Sequence, residues 1–120
     1  MPYMLLIVEP AEARRSRPAT EGQVAYERML RFGEGLKARG ILKASDSLKS
    51  DVEGVRIRGK GSKRVVVDGP FAESKEIVGG FFLLDCATKE EAVAIAGECP
   101  ATEWATVEVR EIGRCWEDNL

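Results

Sequence analysis

Two segments of this chain are apolar at both alternating sets of positions: Tyr3-Met4-Leu5-Leu6-Ile7-Val8 and Gly79-Gly80-Phe81-Phe82-Leu83-Leu84. Strand side chains alternate between two faces, so each segment, folded as a strand, requires cover on both sides and lies in the interior of a sheet. Neither approaches the roughly 18 to 20 apolar residues of a membrane-spanning helix. A chain of 120 residues has room for one domain. Its 44% hydrophobic and 32% charged residues are those of a soluble globular protein.

Helical signals separate the strands. Thr20 and Gln23 have capping-box spacing, and Ala25, Met29, Phe32 and Leu36 recur along one face, predicting a helix over 21–39 that Gly40 ends. The stretch from Pro10 to Ala19 carries Arg14, Arg15 and Arg17, has no usable period and reads as a loop. A short strand is expected over 41–44, and 55–58 pairs with 63–67 as a hairpin across Gly59-Lys60-Gly61-Ser62. Thr88 with Glu91 repeats the capping signal ahead of Ala92, Ile95 and Ala96, and Gly97 with Pro100 closes that helix. The last strand, 104–112, alternates Val107 and Val109 with Thr106, Glu108 and Arg110, so one of its faces is wet.

The order is strand, helix, strand, hairpin, strand, helix, strand. This is an α+β, ferredoxin-like layout (βαβ-hairpin-βαβ): an antiparallel sheet with two helices on one face. Those helices leave the second side of the apolar strands bare. A homodimer joined sheet face to sheet face covers it most simply; the alternative is that the hairpin or the Cys115-Trp116 tail folds over it.

The composition also removes chemistry. Zero histidines exclude a His-based triad and a His-ligated zinc site. A formal charge of -2 gives no overall attraction to nucleic acid or to an anionic membrane. Cys86, Cys99 and Cys115 form no Cys-x-x-Cys pair and read as packed thiols in a reducing cytoplasm. The N-terminal run lacks the basic start of a secretory signal. No metal or cofactor signature is present: Gly59-x-Gly61 has no following helix, as a phosphate-binding loop would.

The densest polar constellation is Asp68-Gly69-Pro70-Phe71-Ala72-Glu73-Ser74-Lys75-Glu76. Gly69-Pro70 fixes a turn and Phe71 offers an apolar anchor, so Asp68, Glu73 and Lys75 can be held in defined directions. A carboxylate so placed suits acid or base work, and Lys75 suits an anionic substrate. The competing reading has Asp68 accepting backbone N–H bonds within the turn, with Glu73, Lys75 and Glu76 as a solvated strip.

That string, with the Gly79-Gly80-Phe81-Phe82 and Val107-Glu108-Val109-Arg110 strands and Pro100, resembles the YCII-related, or DGPF-domain, proteins over most of the chain. The resemblance implies a dimeric α/β barrel of ferredoxin-like subunits with a small-molecule cleft where the sheet, the Asp68 loop and the dimer boundary meet. In the wider group a His and Asp pair is associated with activity, in some members toward chlorinated aromatic compounds. A chain without histidine cannot carry that pair, so Asp68 inherits only a site position.

Two basic clusters remain. Arg56, Arg58, Lys60, Lys63 and Arg64 lie within the hairpin without interleaved aromatic residues, which fits a protective edge better than a nucleic-acid surface. Arg14, Arg15 and Arg17 follow the end of a central strand and either close over an anionic ligand or form a surface loop. Trp104 and Trp116 read as packing residues. The leading expectation is a homodimer binding a small anionic or aromatic metabolite in an interface cleft. Asp68 is its catalytic candidate, Arg15, Phe71, Glu73 and Lys75 are its binding candidates, and no cofactor takes part. The alternative is a non-enzymatic regulatory or accessory module.

Overall fold

The computed structural model describes residues 2–119. In chain order the elements are β1 (Pro2–Pro10), α1 (Ala11–Ser16), α2 (Ala19–Ala38), β2 (Leu42–Ser47), β3 (Val55–Lys60), β4 (Lys63–Asp68), β5 (Glu76–Asp85), α3 (Lys89–Glu98) and β6 (Thr106–Glu111). Short 3₁₀ turns occupy Asp51–Glu53, Pro100–Glu103 and Glu117–Asn119. Four strands form an antiparallel sheet in the order β2-β5-β1-β6, the ferredoxin-like arrangement, and β3 pairs only with β4. The two strands that are apolar on both faces, β1 and β5, are the central ones.

Register explains the core. Leu5 lies between Phe82 and Val109, and Tyr3 between Leu84 and Glu111. Tyr3, Leu5, Ile7, Phe82 and Leu84 are buried under Leu36 of α2 and Ala92, Ile95 and Ala96 of α3. Phe32 meets Phe82 edge to face at 5.2 Å between ring centroids. The opposite set on the same strands, Met4, Leu6, Val8, Phe81 and Leu83, is half-buried and belongs to no core cluster with the helices. Neither the hairpin nor the tail seals that face: Ile57 is 65% exposed, Val66 61% and Trp116 54%.

Several boundaries differ from expectation. Residues 11–16 form α1 where a loop was expected, because Pro10 and Pro18 stand at the N-caps of α1 and α2, where a missing N–H costs nothing, while Ala11 to Ala13 are helix formers. Thr20 therefore lies inside the first turn of α2 and caps nothing. The capping box at α3 is present: Thr88 Oγ1 accepts the Glu91 N–H at 3.1 Å, and Glu91 Oε2 accepts the Ala87 N–H at 3.1 Å. Trp104 ends a 3₁₀ turn instead of starting β6, its N–H donating to the Ala101 carbonyl at 3.0 Å.

Helix α2 touches the sheet only near its C-terminal end. Gly33 and Leu36 are its buried residues, and a Cβ on Gly33 would lie 3.4 Å from the Phe82 ring, marking the closest approach. Val24, Tyr26 and Leu30 in the preceding turns stay exposed, so this half of the helix stands off the sheet. The β3-β4 hairpin forms an arm. The radius of gyration is 16.2 Å, against about 13.6 Å for a compact chain of this length.

Candidate functional site

Between α2 and the sheet, along most of the helix from Ala19 to Lys37, lies a cavity of about 550 Å³. Ile7, Ala25, Tyr26, Met29, Leu42 and Phe82 give it an apolar wall, and Glu9, Arg14 and Arg17 form a charged end. Glu9 continues the inward set Tyr3, Leu5 and Ile7 on β1, so strand alternation carries its carboxylate into the interior, where it is 3% exposed. A buried carboxylate must be paired. Arg14 donates from Nη1 to Oε2, and Arg17 donates from Nη2 to Oε1 at 2.9 Å.

Both arginines come from the segment that immediately follows β1. The turn of α1 returns the chain over the strand end, and its first N–H donates to the Lys75 carbonyl at 2.8 Å. Arg14 has both terminal nitrogens engaged, since its Nη2 also donates to the Leu48 carbonyl. Arg17 keeps Nε and Nη1 without a protein partner among the described residues. Opposite Glu9, a register irregularity between Ile7 and Val8 leaves Gly79 out of the pairing, and a Cβ there would overlap the Glu9 carboxylate and the Arg14 guanidinium. Glycine at 79 is thus the condition for seating the ion pair.

Arg15 points elsewhere. It forks onto Asp51, Nε to Oδ1 at 2.9 Å and Nη2 to Oδ2 at 2.6 Å, and Asp51 Oδ2 also accepts the Phe71 N–H at 3.1 Å. The Arg15 guanidinium, assisted by that N–H, holds the Asp51 carboxyl at about 2. The Gly69–Pro70 peptide is cis. A Cβ on Gly69 would overlap the Asp51 carbonyl, and the Gly69 N–H donates to the Gly54 carbonyl at 2.7 Å. Phe71 is buried, with the Arg56 guanidinium 3.8 Å above its ring and Arg56 Nη2 donating to Ser74 Oγ at 3.0 Å.

The residues singled out from the sequence therefore divide. Arg15 and Phe71 meet through Asp51, but neither lines the cavity. Asp68 ends β4 opposite Val55, is exposed, and makes no side-chain hydrogen bond among the described residues, so neither the cleft nor the turn amides hold it. Glu73 and Lys75 are exposed, and Lys75 contributes only its carbonyl. Arg14 and Arg17 do line the cavity. Glu9 and Asp51 escaped sequence reasoning. The inward parity of Glu9 on an apolar strand, followed by three arginines, is the signal that identifies it, whereas Asp51 has no local signal because its partner is 36 residues away.

Trp104 packs against the core and borders the cavity, with the Arg28 guanidinium 5.4 Å from its ring and Arg28 forked onto Glu103. Trp116 is exposed beneath Arg114, contrary to the packing expected of it. Cys86 and Cys99 are buried and burial pushes both thiols up, which makes them inert packing groups; Cys115 is exposed. Among the described residues there is no cluster of metal-ligating side chains and no helix long and apolar enough to cross a membrane.

Comparison with known proteins agrees with this architecture. A curated relative, an uncharacterised protein of Rhizobium meliloti (strain 1021), is 48% identical over 40 residues, 33% of this chain and 32% of that protein, so the match spans about a third of the relative's length. Among solved structures, the 5-chloro-2-hydroxyhydroquinone dehydrochlorinase of Burkholderia phenoliruptrix AC1100, in complex with 2,5-dihydroxybenzoquinone, superposes with a TM-score of 0.54. That alignment covers 95% of each chain at 15% sequence identity, a likeness of fold. The YCII-related domain matches residues 1–115, nearly the whole sequence that builds the sheet, the arm and the cavity. The chain belongs to the YCII-related family.

Proposed function

We propose that this protein binds a small molecule with an aromatic-sized apolar body and an anionic group, in the cavity between α2 and the sheet. The observation that carries the reading is the charged end of that cavity: one buried carboxylate, two arginines, and two unspent donor positions on Arg17. A planar guanidinium with free N–H groups beside an apolar wall suits a carboxylate or phenolate at the end of a ring. The bound dihydroxybenzoquinone of the structural relative is a ligand of that size and type and supports the choice of class. Both oxygens of Glu9 are engaged, so its role is the counterion that orients Arg17, and recognition precedes any acid/base step. The exposed Asp68 serves as neither base nor anchor in this reading.

The half-buried Met4, Leu6, Val8, Phe81 and Leu83 support a homodimer joined through the open sheet face, since a stable monomer has little reason to retain such a strip. The binding reading is tested by titrating hydroxybenzoates and benzoquinones while following thermal stability, because a ligand selective for the folded state raises the melting temperature by mass action. Arg17→Met is expected to abolish the shift and Asp68→Ala to keep it. Retention in Arg17→Met, or loss in Asp68→Ala, overturns the assignment.

A further inference from the structure

Directly paired strand residues share a face, so the side of the sheet beneath α2 reads in rows: Ile7, Gly80, Ser47, and then Leu5, Phe82, Ser45. The charged end of the cavity lies one step earlier on β5, because a Cβ on Gly79 would fall on the Glu9 carboxylate, to which Arg17 donates. Between that end and Phe82 the floor is bare, since Gly80 is buried, faces the cavity and carries no side chain.

Beyond the bare floor stands one hydroxyl. A Cβ on Gly33 of α2 would lie 3.9 Å from Ser45 Oγ, 3.8 Å from Leu42 and 3.4 Å from the Phe82 ring, so Ser45 projects toward the helix and into the cavity that it lines. An apolar residue at this inward position of β2 would extend the core formed by Leu5 and Phe82; serine leaves a polar point on an apolar wall instead. Ser45 is half-buried and its hydroxyl has no hydrogen-bond partner among the described residues. One donor and two acceptor positions are left to whatever enters the cavity.

The separation selects a ligand. From Gly79 to Ser45 is three residues along β5 and one strand over, about 11 Å. A single six-membered ring with polar groups on opposite carbons, and a hydrogen bond of about 2.8 Å at each end, bridges that span with its face over Gly80 and beneath Tyr26 and Met29. We propose that Ser45 is a specificity-determining residue of the cavity: its hydroxyl bonds a second polar group opposite the anion and selects an aromatic acid oxygenated at the para position over the unsubstituted one. This rests on the binding reading above and narrows its ligand class. Ser47 shares the face but is exposed and sits beside the charged end, one row short, where bulk water competes for its hydroxyl.

The test is isothermal titration calorimetry with benzoate, 3-hydroxybenzoate and 4-hydroxybenzoate, for the wild type, Ser45→Ala, Ser47→Ala and Arg17→Met, with circular dichroism to verify folding. The wild type is expected to bind 4-hydroxybenzoate about three- to tenfold more tightly than the other two, the net yield of one neutral hydrogen bond. Ser45→Ala is expected to erase that preference with benzoate affinity unchanged, a selective loss that a merely structural role would not produce, and Ser47→Ala is expected to keep it. A wild type that binds the three alike and loses them in Arg17→Met, or a preference that survives Ser45→Ala, overturns the Ser45 assignment and leaves the anion site standing. Absence of binding for all three, or binding indifferent to Arg17→Met, overturns both.

Discussion

Replacing Glu9 with glutamine preserves its shape and removes the charge that Arg14 and Arg17 share. Removing one partner from a fully buried pair costs about 3–5 kcal/mol. The Arg14 and Arg17 side chains keep 17% and 18% exposure, so water relieves part of the stranded charge and about 2–3 kcal/mol is the expected loss. Unfolding entropy for this chain length is about 0.25 kcal/mol/K, which converts the loss to a melting temperature lower by about 8–12 °C.

The same variant has a second, opposite signature. With Glu9 neutral, the cavity end holds two cations and no compensating carboxylate, so an added anion takes over the missing role. Benzoate is therefore expected to raise the melting temperature of Glu9→Gln more than that of the wild type. Scanning calorimetry with and without benzoate reads both effects. In a double-mutant cycle, Glu9→Gln/Arg17→Met is expected to lose less than the sum of the single changes. A melting temperature within about 2 °C of the wild type, or a benzoate shift no larger than the wild type's, refutes the reading of a buried, charge-orienting carboxylate.

Three further outcomes follow from the same geometry. Gly79→Ala places a methyl group where the Glu9 carboxylate and the Arg14 guanidinium sit; urea unfolding is expected to lose about 1–3 kcal/mol, and wild-type stability would show that the pair can move aside. Asp51 is held at about 2 in the folded protein against an ordinary 3.8, so its contribution is present above that ordinary value and is lost as pH falls toward 2. Urea midpoints across this window should fall more steeply with acid for the wild type than for Asp51→Asn, and parallel curves would contradict the clamp. Gly69→Ala directs a Cβ into the Asp51 backbone, 3.1 Å from the Gly54 carbonyl oxygen; hydrogen exchange should quicken in β3 and β4 and stay unchanged in β1, and equal arm protection would show that the turn yields.

The sheet was readable in advance because its determinants are local and periodic. Tyr3 to Val8 and Phe81 to Leu84 are apolar at both parities, and only the interior positions of a covered sheet satisfy that pattern, so β1 and β5 were identified as central from residue type alone. The Thr88 and Glu91 cap was equally legible, since both partners lie within one turn. Thr20 carried the same spacing and misled, because Pro18 already fixed the start of α2 two residues earlier. The helical character of 11–16 was hidden by the prolines that bracket it, which initiate α1 and α2 and interrupt neither.

The site was harder to read for a different reason: its residues are joined by contacts that no spacing encodes. The Asp68 loop is the most distinctive string in the chain, yet the structure gives it architectural work. Gly69 admits the Asp51 backbone, Phe71 donates its N–H to the Asp51 carboxylate, and Asp51 in turn holds Arg15 on α1. One residue before Arg15, Arg14 binds Glu9, and two residues after it Arg17 does the same. A short helix pinned at Lys75 and Asp51 has little freedom to rotate, so the loop sets the direction of the arginines without entering the cavity. Distinctiveness of sequence here follows from the number of simultaneous backbone constraints, and the charged end of the cavity is built by Glu9, Arg14 and Arg17, residues common enough in type to pass unnoticed until the strand turns Glu9 inward.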